Sequence, residues 1–234
     1  GLSVYQLDEN YYPAKLLFEL KKNDNNGLSS NYITSILEDK DGYYWIGTLA
    51  GGLIQFNPST KKIEIFKSYW DDSLSLSNNY INTIYEDSKG DIWIGTSAGG
   101  VNKFNKQNNS FIRYMYDPGK PQKNLNSPEV TSICEDNNEN LWFGTTTGGL
   151  NIFNRSTEEF TYYTYSGENK NGISSRKISC IYKDKKRRLW IGTYGGGLNL
   201  FLKNSFIHYG KKDGLTSNII YSITEDDVGN LWLA

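Results

Sequence analysis

Residues 32–56 read YITSILEDKDGYYWIGTLAGGLIQF, and this stretch decides the fold because the chain repeats it. Its Trp-(apolar)-Gly-Thr core recurs in five copies, the last of them truncated, with the Trp at Trp45, Trp93, Trp142, Trp190 and Trp232. An Asp stands six residues before every one of these Trp residues. In the first four copies, two glycines, an apolar residue and a Phe follow. Tandem units of about 40–50 residues predict a repeat architecture.

Each repeat is predicted to form four short strands. The first, at 32–38, alternates in polarity and ends in the polar turn 39–42, which suits a tight hairpin. The second, at 43–48, is apolar on both faces, as expected for a strand packed between two sheets. Strands at 53–56 and 63–66 complete the unit. Tandem four-stranded units are typical of a β-propeller, in which each blade buries its faces against its neighbours.

We therefore predict an all-β fold, with one propeller domain over residues 1–234 and about five antiparallel four-stranded blades. Complete blades are expected at about 32–67, 80–116, 129–165 and 177–209. Residues 219–234 match the first half of a blade and residues 1–20 match the second half, so together they predict one split blade. Two arrangements stay open: a ring closed by pairing of the termini, or an arc of a larger propeller.

Composition argues against several classes of function. The 25 basic and 26 acidic residues are spread along the chain, so no nucleic-acid-binding face is predicted. No apolar run approaches the ~20 residues that span a bilayer, and no membrane contact is expected within this segment. The only Met is Met115, so any targeting segment is expected to be missing from this sequence. Cys134 and Cys180 are expected to be buried, unpaired thiols, and no metal or cofactor is predicted.

Recurring carboxylates raise the alternative of a five-bladed carbohydrate-active enzyme. A glycosidase needs two carboxyl groups at a defined separation in different environments. The Glu-Asp pairs instead recur from copy to copy, and we interpret them as turn and edge residues, at 38–39, 86–87, 135–136 and 225–226. His208 falls on a predicted outermost strand without catalytic partners. The glycine-rich stretch 192–197 precedes a strand, not the helix that a phosphate loop requires. The sequence therefore predicts a protein without enzymatic activity.

The linker and core of the repeat resemble the two-component regulator propeller repeat, on residues 27–36, 38–39, 45–48 and 51–53. The resemblance extends over essentially the whole chain. It implies an extracytoplasmic (periplasmic or cell-surface) sensor propeller of a histidine-kinase-type receptor, associated with glycan sensing in bacteria. It also implies an oligosaccharide ligand and, as partners, other propeller or signalling domains of the same receptor. The fourth copy departs from the pattern, with Lys183 replacing the Glu and Arg188 standing in for the turn glycine.

Binding residues are expected where the copies differ. In up-and-down blades, the turns between second and third strands and the blade-to-blade linkers share one rim, here called the linker rim, with linkers at 68–79, 115–128 and 165–176. Trp70, the only Trp outside the repeat motif, lies there beside Tyr69, Asp71 and Asp72.

Aromatic faces flanked by carboxylates suit sugar rings, so these four residues are candidate ligand contacts. Arg176 and Tyr194 are further candidates on the same rim. The alternative for Trp70 is that it only covers the adjacent blade. A further alternative for the whole chain is a freestanding lectin-like or protein-interaction propeller.

Overall fold

β-Strands joined by turns make up the part of the chain that the computed structural model describes, residues 1–10, 12–22, 27–169 and 171–234. Four sheets have four antiparallel strands each, and two further sheets have two strands each. The prediction of an all-β propeller with four-stranded antiparallel blades is therefore confirmed.

The six sheets follow one another in chain order. The N-terminal half-blade contains β1 (Leu2–Leu7) and β2 (Pro13–Leu20). Blade A contains β3 (Ile33–Glu38), β4 (Tyr44–Thr48), β5 (Leu53–Phe56) and β6 (Ile63–Phe66). Blade B contains β7 (Ile81–Glu86), β8 (Ile92–Thr96), β9 (Val101–Asn105) and β10 (Ser110–Tyr114).

The remaining sheets continue this order. Blade C contains β11 (Val130–Glu135), β12 (Leu141–Thr145), β13 (Leu150–Asn154) and β14 (Glu159–Tyr163). Blade D contains β15 (Ile178–Lys183), β16 (Leu189–Thr193), β17 (Leu198–Leu202) and β18 (Ser205–Tyr209). The C-terminal half-blade contains β19 (Ile223–Glu225) and β20 (Leu231–Leu233). Two short 3₁₀ turns lie in linkers, at Pro121–Lys123 and Lys211–Asp213.

Every complete blade is an up-and-down meander, in which each strand pairs with the next one along the chain. The first strands of successive blades contact one another, from β3 through β7, β11 and β15 to β19. These first strands therefore form the inner edge of the row of blades, and the fourth strands lie outermost. This strand order brings all linkers and all turns between second and third strands to one rim.

The core lies between the blades. The Trp of one blade packs on the third-strand Phe of the next, with ring centroids 4.8 Å apart for Trp45 and Phe104 and 4.7 Å apart for Trp142 and Phe201. Gly47 permits this close approach, because a Cβ there would lie 2.6 Å from the Ile81 side chain of blade B. Each blade therefore completes the core of its neighbour.

The hairpin between first and second strands contains one residue with left-handed φ, three positions before the Trp. This position is occupied in the five copies by Gly42, Gly90, Glu139, Arg187 and Gly229. In blade D the glycine is thus replaced by Arg187, with a φ of 64°, and not by Arg188. The prediction for Arg188 was wrong by one position, because Arg187 stands three residues before Trp190, as Gly42 stands three residues before Trp45.

Each half-blade packs on the complete blade next to it. Phe18 of β2 lies 5.1 Å from the ring of Phe56 in blade A. At the other end, Ile223 and Leu231 join the cluster around Trp190 of blade D. Within the described residues, the two half-blades are separate two-stranded sheets. That residues 219–234 and 1–20 form one fifth blade stays a prediction.

Candidate functional site on the linker rim

A hydrogen bond between the motif Trp and the Asp six residues before it is present in every copy. The indole Nε1 donates to the carboxylate Oδ2 over 2.6–3.0 Å, in the pairs Trp45–Asp39, Trp93–Asp87, Trp142–Asp136, Trp190–Asp184 and Trp232–Asp226. In blade A the other oxygen accepts the backbone N–H groups of Asp41 and Tyr43 within the turn. The carboxylate therefore holds the hairpin and the Trp together, a role that the constant spacing could have revealed.

The Glu before this Asp binds the preceding blade. Its carboxylate accepts a backbone N–H from the turn of that blade, at 3.1 Å for Lys40 to Glu86, 2.9 Å for Ser88 to Glu135 and 2.6 Å for Lys185 to Glu225. Blade D has Lys183 at this position, and the junction is made instead by Asn137, whose Nδ2 donates to the carbonyl of Arg187 over 2.8 Å. These acidic residues join blades.

Arg155 adds a cation at the junction of blades B and C. Its Nη2 lies 2.7 Å from Oδ2 of Asp87 and 2.9 Å from Oε1 of Glu135, and its Nε donates to the carbonyl of Glu139. Both carboxylates are buried. Buried charges need such pairing and hydrogen bonding, so this cluster accounts for two acidic groups that could otherwise resemble a catalytic pair.

The linker rim is held together by backbone hydrogen bonds. The second glycine of each turn donates its N–H to a linker carbonyl, over 3.0 Å for Gly52 to Asn79, 2.8 Å for Gly100 to Pro128, 3.0 Å for Gly149 to Arg176 and 2.8 Å for Gly197 to Asn218. Turn and linker therefore form one continuous surface, on which side chains from distant parts of the sequence meet.

Outermost strands also hold the linkers. Arg113 donates from Nε to the carbonyl of Ser75 over 2.8 Å, and the Tyr162 hydroxyl donates to the carbonyl of Asn124. His208, at the same position in blade D, places its Nε2 2.7 Å from the carbonyl oxygen of Gly172. His208 thus lies on an outermost strand, as predicted, and contacts the linker.

The first candidate group, 69–72, lies in the linker between blades A and B. Trp70 is 96% exposed, so the alternative that it covers the adjacent blade is wrong. Asp72 is a turn residue, because its Oδ1 accepts the N–H of Leu74. Tyr69 and Asp72 line a depression of about 340 Å³ beside β10, but Trp70 and Asp71 are not among its lining residues.

The second candidate group lies between blades C and D. Arg176 and Tyr194 line one shallow depression of about 460 Å³, together with Tyr165 and Lys177. The Lys177 ammonium lies 5.6 Å from the centroid of the Tyr194 ring, a cation–π contact. A hydrogen bond with Tyr194 raises the pKa of the Tyr221 hydroxyl. The structure brings Arg176 and Tyr194 together, whereas residues 69–72 belong to a different linker.

The two thiols are free, with Cys134 buried and Cys180 half-buried. Burial raises the pKa of Cys134 to about 11, which keeps it protonated at neutral pH. No group of His, Cys, Asp and Glu in the described ranges could hold a metal ion. Among the same residues, no helix has the length and apolar character needed to cross a membrane.

The motifs match a known family. The model of the two component regulator propeller matches residues 27–50, 75–98, 124–147, 172–195 and 214–234. These segments make up half of the chain. No curated protein matches the sequence.

Several solved structures are similar to this chain. The chain is similar to the extracellular domain of the hybrid two component system BT3049 from B. thetaiotaomicron, with 28% identity and a TM-score of 0.75 over 89% of this chain and 28% of that one. It also resembles PorZ, a surface component of the type-IX secretion system of Porphyromonas gingivalis, with 19% identity and a TM-score of 0.70 over 95% of this chain and 34% of PorZ.

Virginiamycin B lyase from Staphylococcus aureus is a further match, with 16% identity and a TM-score of 0.65 over 90% of this chain and 64% of the lyase. At such identities, the lyase and PorZ show a shared fold alone. The chain spans about a third or less of the first two matched proteins.

Proposed function

Since the chain belongs to the two-component regulator propeller family, we propose that it is a non-enzymatic, ligand-binding part of the extracytoplasmic sensor domain of a bacterial signal-transduction receptor. The likeness to the extracellular domain of a hybrid two component system supports this assignment. Its proposed partners are other propeller or signalling domains of the same receptor, and its proposed ligand is an oligosaccharide.

The proposal rests on a contrast between two groups of side chains. The carboxylates of the repeat motif are hydrogen-bonded or ion-paired, whereas aromatic side chains on the linker rim are exposed. The motif Asp side chains hold hairpins, and Asp87 and Glu135 are also paired with Arg155. On the linker rim, by contrast, Trp70 is 96% exposed and Tyr194 is 47% exposed. A sugar ring stacked on such a flat face would remove its apolar surface from water. Binding without chemistry accounts for both features.

The test is a thermal-shift screen of the chain against a panel of oligosaccharides, repeated with Trp70→Ala and with Tyr194→Ala. A sugar at about 100 times its Kd is expected to raise Tm by about 5–10 °C. The variant that removes the contact should lose this shift and keep its unliganded Tm, because both side chains are exposed.

Tyr12→Ala is the matched control. Tyr12 is 69% exposed and lies in the turn between β1 and β2, on the rim opposite the linkers. Its removal should leave every sugar-induced shift intact. No shift with any oligosaccharide would contradict the proposal that this segment binds sugars.

A further inference from the structure

Two adjoining depressions occupy the linker rim at blade D, one beside the linker that precedes this blade and one beside the linker that follows it. The first contains Arg176, Lys177 and Tyr194. The second, of about 360 Å³, contains His208, Lys211 and Lys212. They share three lining residues, Ser174, Gly195 and Gly196. We propose that this continuous surface binds an oligosaccharide that carries carboxylate or sulfate groups; the inference deepens the proposed function and rests on it.

Charge is the first argument. Four cationic side chains line the two depressions, and we call them the basic patch: Arg176, Lys177, Lys211 and Lys212. None of the four forms a salt bridge within the described part of the chain, and no carboxylate lines either depression. The nearby Asp213 carboxylate accepts the N–H of Gly210 over 2.9 Å and lines neither depression. This local excess of positive charge would attract an anionic ligand.

The basic patch does not follow from overall charge. The chain has a formal net charge of −1, so the cations are concentrated locally. The linker between blades A and B carries the opposite sign, with Asp71 and Asp72 beside Trp70. Charge is therefore uneven along the rim, and an anionic group would be favoured at the basic patch and disfavoured beside Asp71 and Asp72.

Backbone geometry distinguishes a sugar acid from a bare inorganic anion. The N–H groups of the glycine turn are already used, because Gly195 and Gly197 donate to the carbonyl of Asn218 and Gly196 donates to Oγ1 of Thr193. No backbone cradle for phosphate remains at this turn. What the surface offers is the half-exposed ring of Tyr194 beside cationic side chains. That combination suits a ring with an acidic substituent.

Ser174 lies where the two depressions meet, and its hydrogen bonding differs from that of its counterparts in the two preceding linkers. In the two preceding linkers, the corresponding side chain accepts a hydrogen bond from a buried Asn, from Asn102 to Ser77 over 2.7 Å and from Asn151 to Asn126 over 2.9 Å. In blade D the Nδ2 of Asn199 donates to a backbone carbonyl instead. The Ser174 hydroxyl is left without a hydrogen-bond partner among the described residues, as is the Ser29 hydroxyl at the corresponding position of the linker that precedes blade A, and both oxygens are buried. The proposed site is therefore defined by the basic patch and the Tyr194 ring, and not by this hydroxyl.

The experiment is isothermal titration of the chain with trigalacturonic acid, its methyl ester, maltotriose and sodium sulfate, each at 50 and 300 mM NaCl. Trigalacturonic acid is expected to bind, and its affinity should fall at the higher salt concentration because of screening. The uncharged ester and maltotriose should bind at least 10-fold more weakly. Sulfate alone should give no comparable heat, because it lacks the ring that Tyr194 contacts.

Variants locate the site. Replacing Arg176 and Lys177 together by Ala, or Lys211 and Lys212 together, should weaken trigalacturonic acid binding at least 10-fold. Lys186→Ala removes one positive charge from an exposed side chain in the turn of blade D, on the opposite rim, and it should leave the affinity for trigalacturonic acid unchanged. All five side chains are exposed, so the Tm of each variant should stay near that of the parent.

The outcomes separate the inference from the proposed function. Neutral sugars that bind as tightly as the acid would overturn the inference and leave sugar binding intact. Binding of the acid that survives both double variants would also overturn it. Sulfate binding as strong as that of the acid would overturn the saccharide assignment. If no sugar in this titration or in the thermal-shift panel binds, the proposed sugar-binding function fails as well.

Discussion

The complete blades and the C-terminal half-blade contain the same Trp–Asp pair in different surroundings. Trp45, Trp93, Trp142 and Trp190 are at most 7% exposed, whereas Trp232 is 63% exposed. Trp232 nevertheless donates to Asp226 over 3.0 Å, as its counterparts do to theirs. The hydrogen bond therefore needs only the hairpin that contains both residues, whereas burial of the indole needs a neighbouring blade to pack against it.

The largest expected difference concerns the Trp residues themselves. Trp93→Ala should lower the free energy of unfolding by about 3–5 kcal/mol, because the indole is buried between blades B and C. Trp232→Ala should lower it by only about 1 kcal/mol, because most of that ring already contacts water. Urea unfolding followed by circular dichroism measures both values. Equal losses would show that the indole's own hairpin, and not the next blade, supplies its stabilisation.

A second comparison uses two cations at the same position of the repeat. Arg155→Met should cost about 2–3 kcal/mol, because it leaves Asp87 and Glu135 buried without their cation. Lys106→Met in blade B removes the exposed pair with Asp41 and should cause little measurable change. Urea unfolding followed by circular dichroism gives the loss of unfolding free energy for each variant. A similar loss from both variants would contradict the distinction between buried and exposed junctions.

The smallest effect concerns the half-blade carboxylate. Hydrogen bonds from the side chain and backbone of Asn230, and from the Trp232 indole, hold the pKa of Asp226 at about 2. The unfolded value is about 3.9, so the contribution of these bonds to stability is complete above about pH 4 and is lost as the pH falls toward 2. Carboxyl-carbon NMR should give a midpoint near pH 2.

Asn230→Ala is the control for this titration. It removes the largest cause of the depressed pKa, so the Asp226 midpoint should move upward toward its ordinary value. If the Asp226 midpoint stayed near pH 2 in this variant, a group other than the Asn230 side chain would stabilise the ionised carboxylate, and the prediction would be wrong.

Strand positions were largely predictable because they depend on local pattern. The third and fourth strands of blade A lie at Leu53–Phe56 and Ile63–Phe66, as predicted, and the first two begin one residue later than predicted. The Trp–Asp bond could also have been read from its constant spacing, since both partners lie in one hairpin. The contacts of Glu86, Glu135 and Arg155 could not have been predicted from the sequence, because their partners lie in neighbouring blades.

The candidate site was predictable only in part. Sequence reasoning selected the linker rim, together with Tyr69, Trp70, Asp71, Asp72, Arg176 and Tyr194. It overlooked Lys177, Lys211 and Lys212, which look like ordinary surface charges in the sequence. No local signal distinguishes such lysines, because the basic patch exists only where a linker, a turn and a 3₁₀ segment meet on one rim.

The sequence by itself determined the blade, since alternation, hairpin turns and the Trp–Asp spacing act within a few tens of residues. Tertiary structure alone decided which indoles are buried, which carboxylates pair across blades, and that Trp70 faces water while Arg176 and Tyr194 share one depression. The physical reason is that burial and local charge depend on which surfaces pack together, and these surfaces come from different blades.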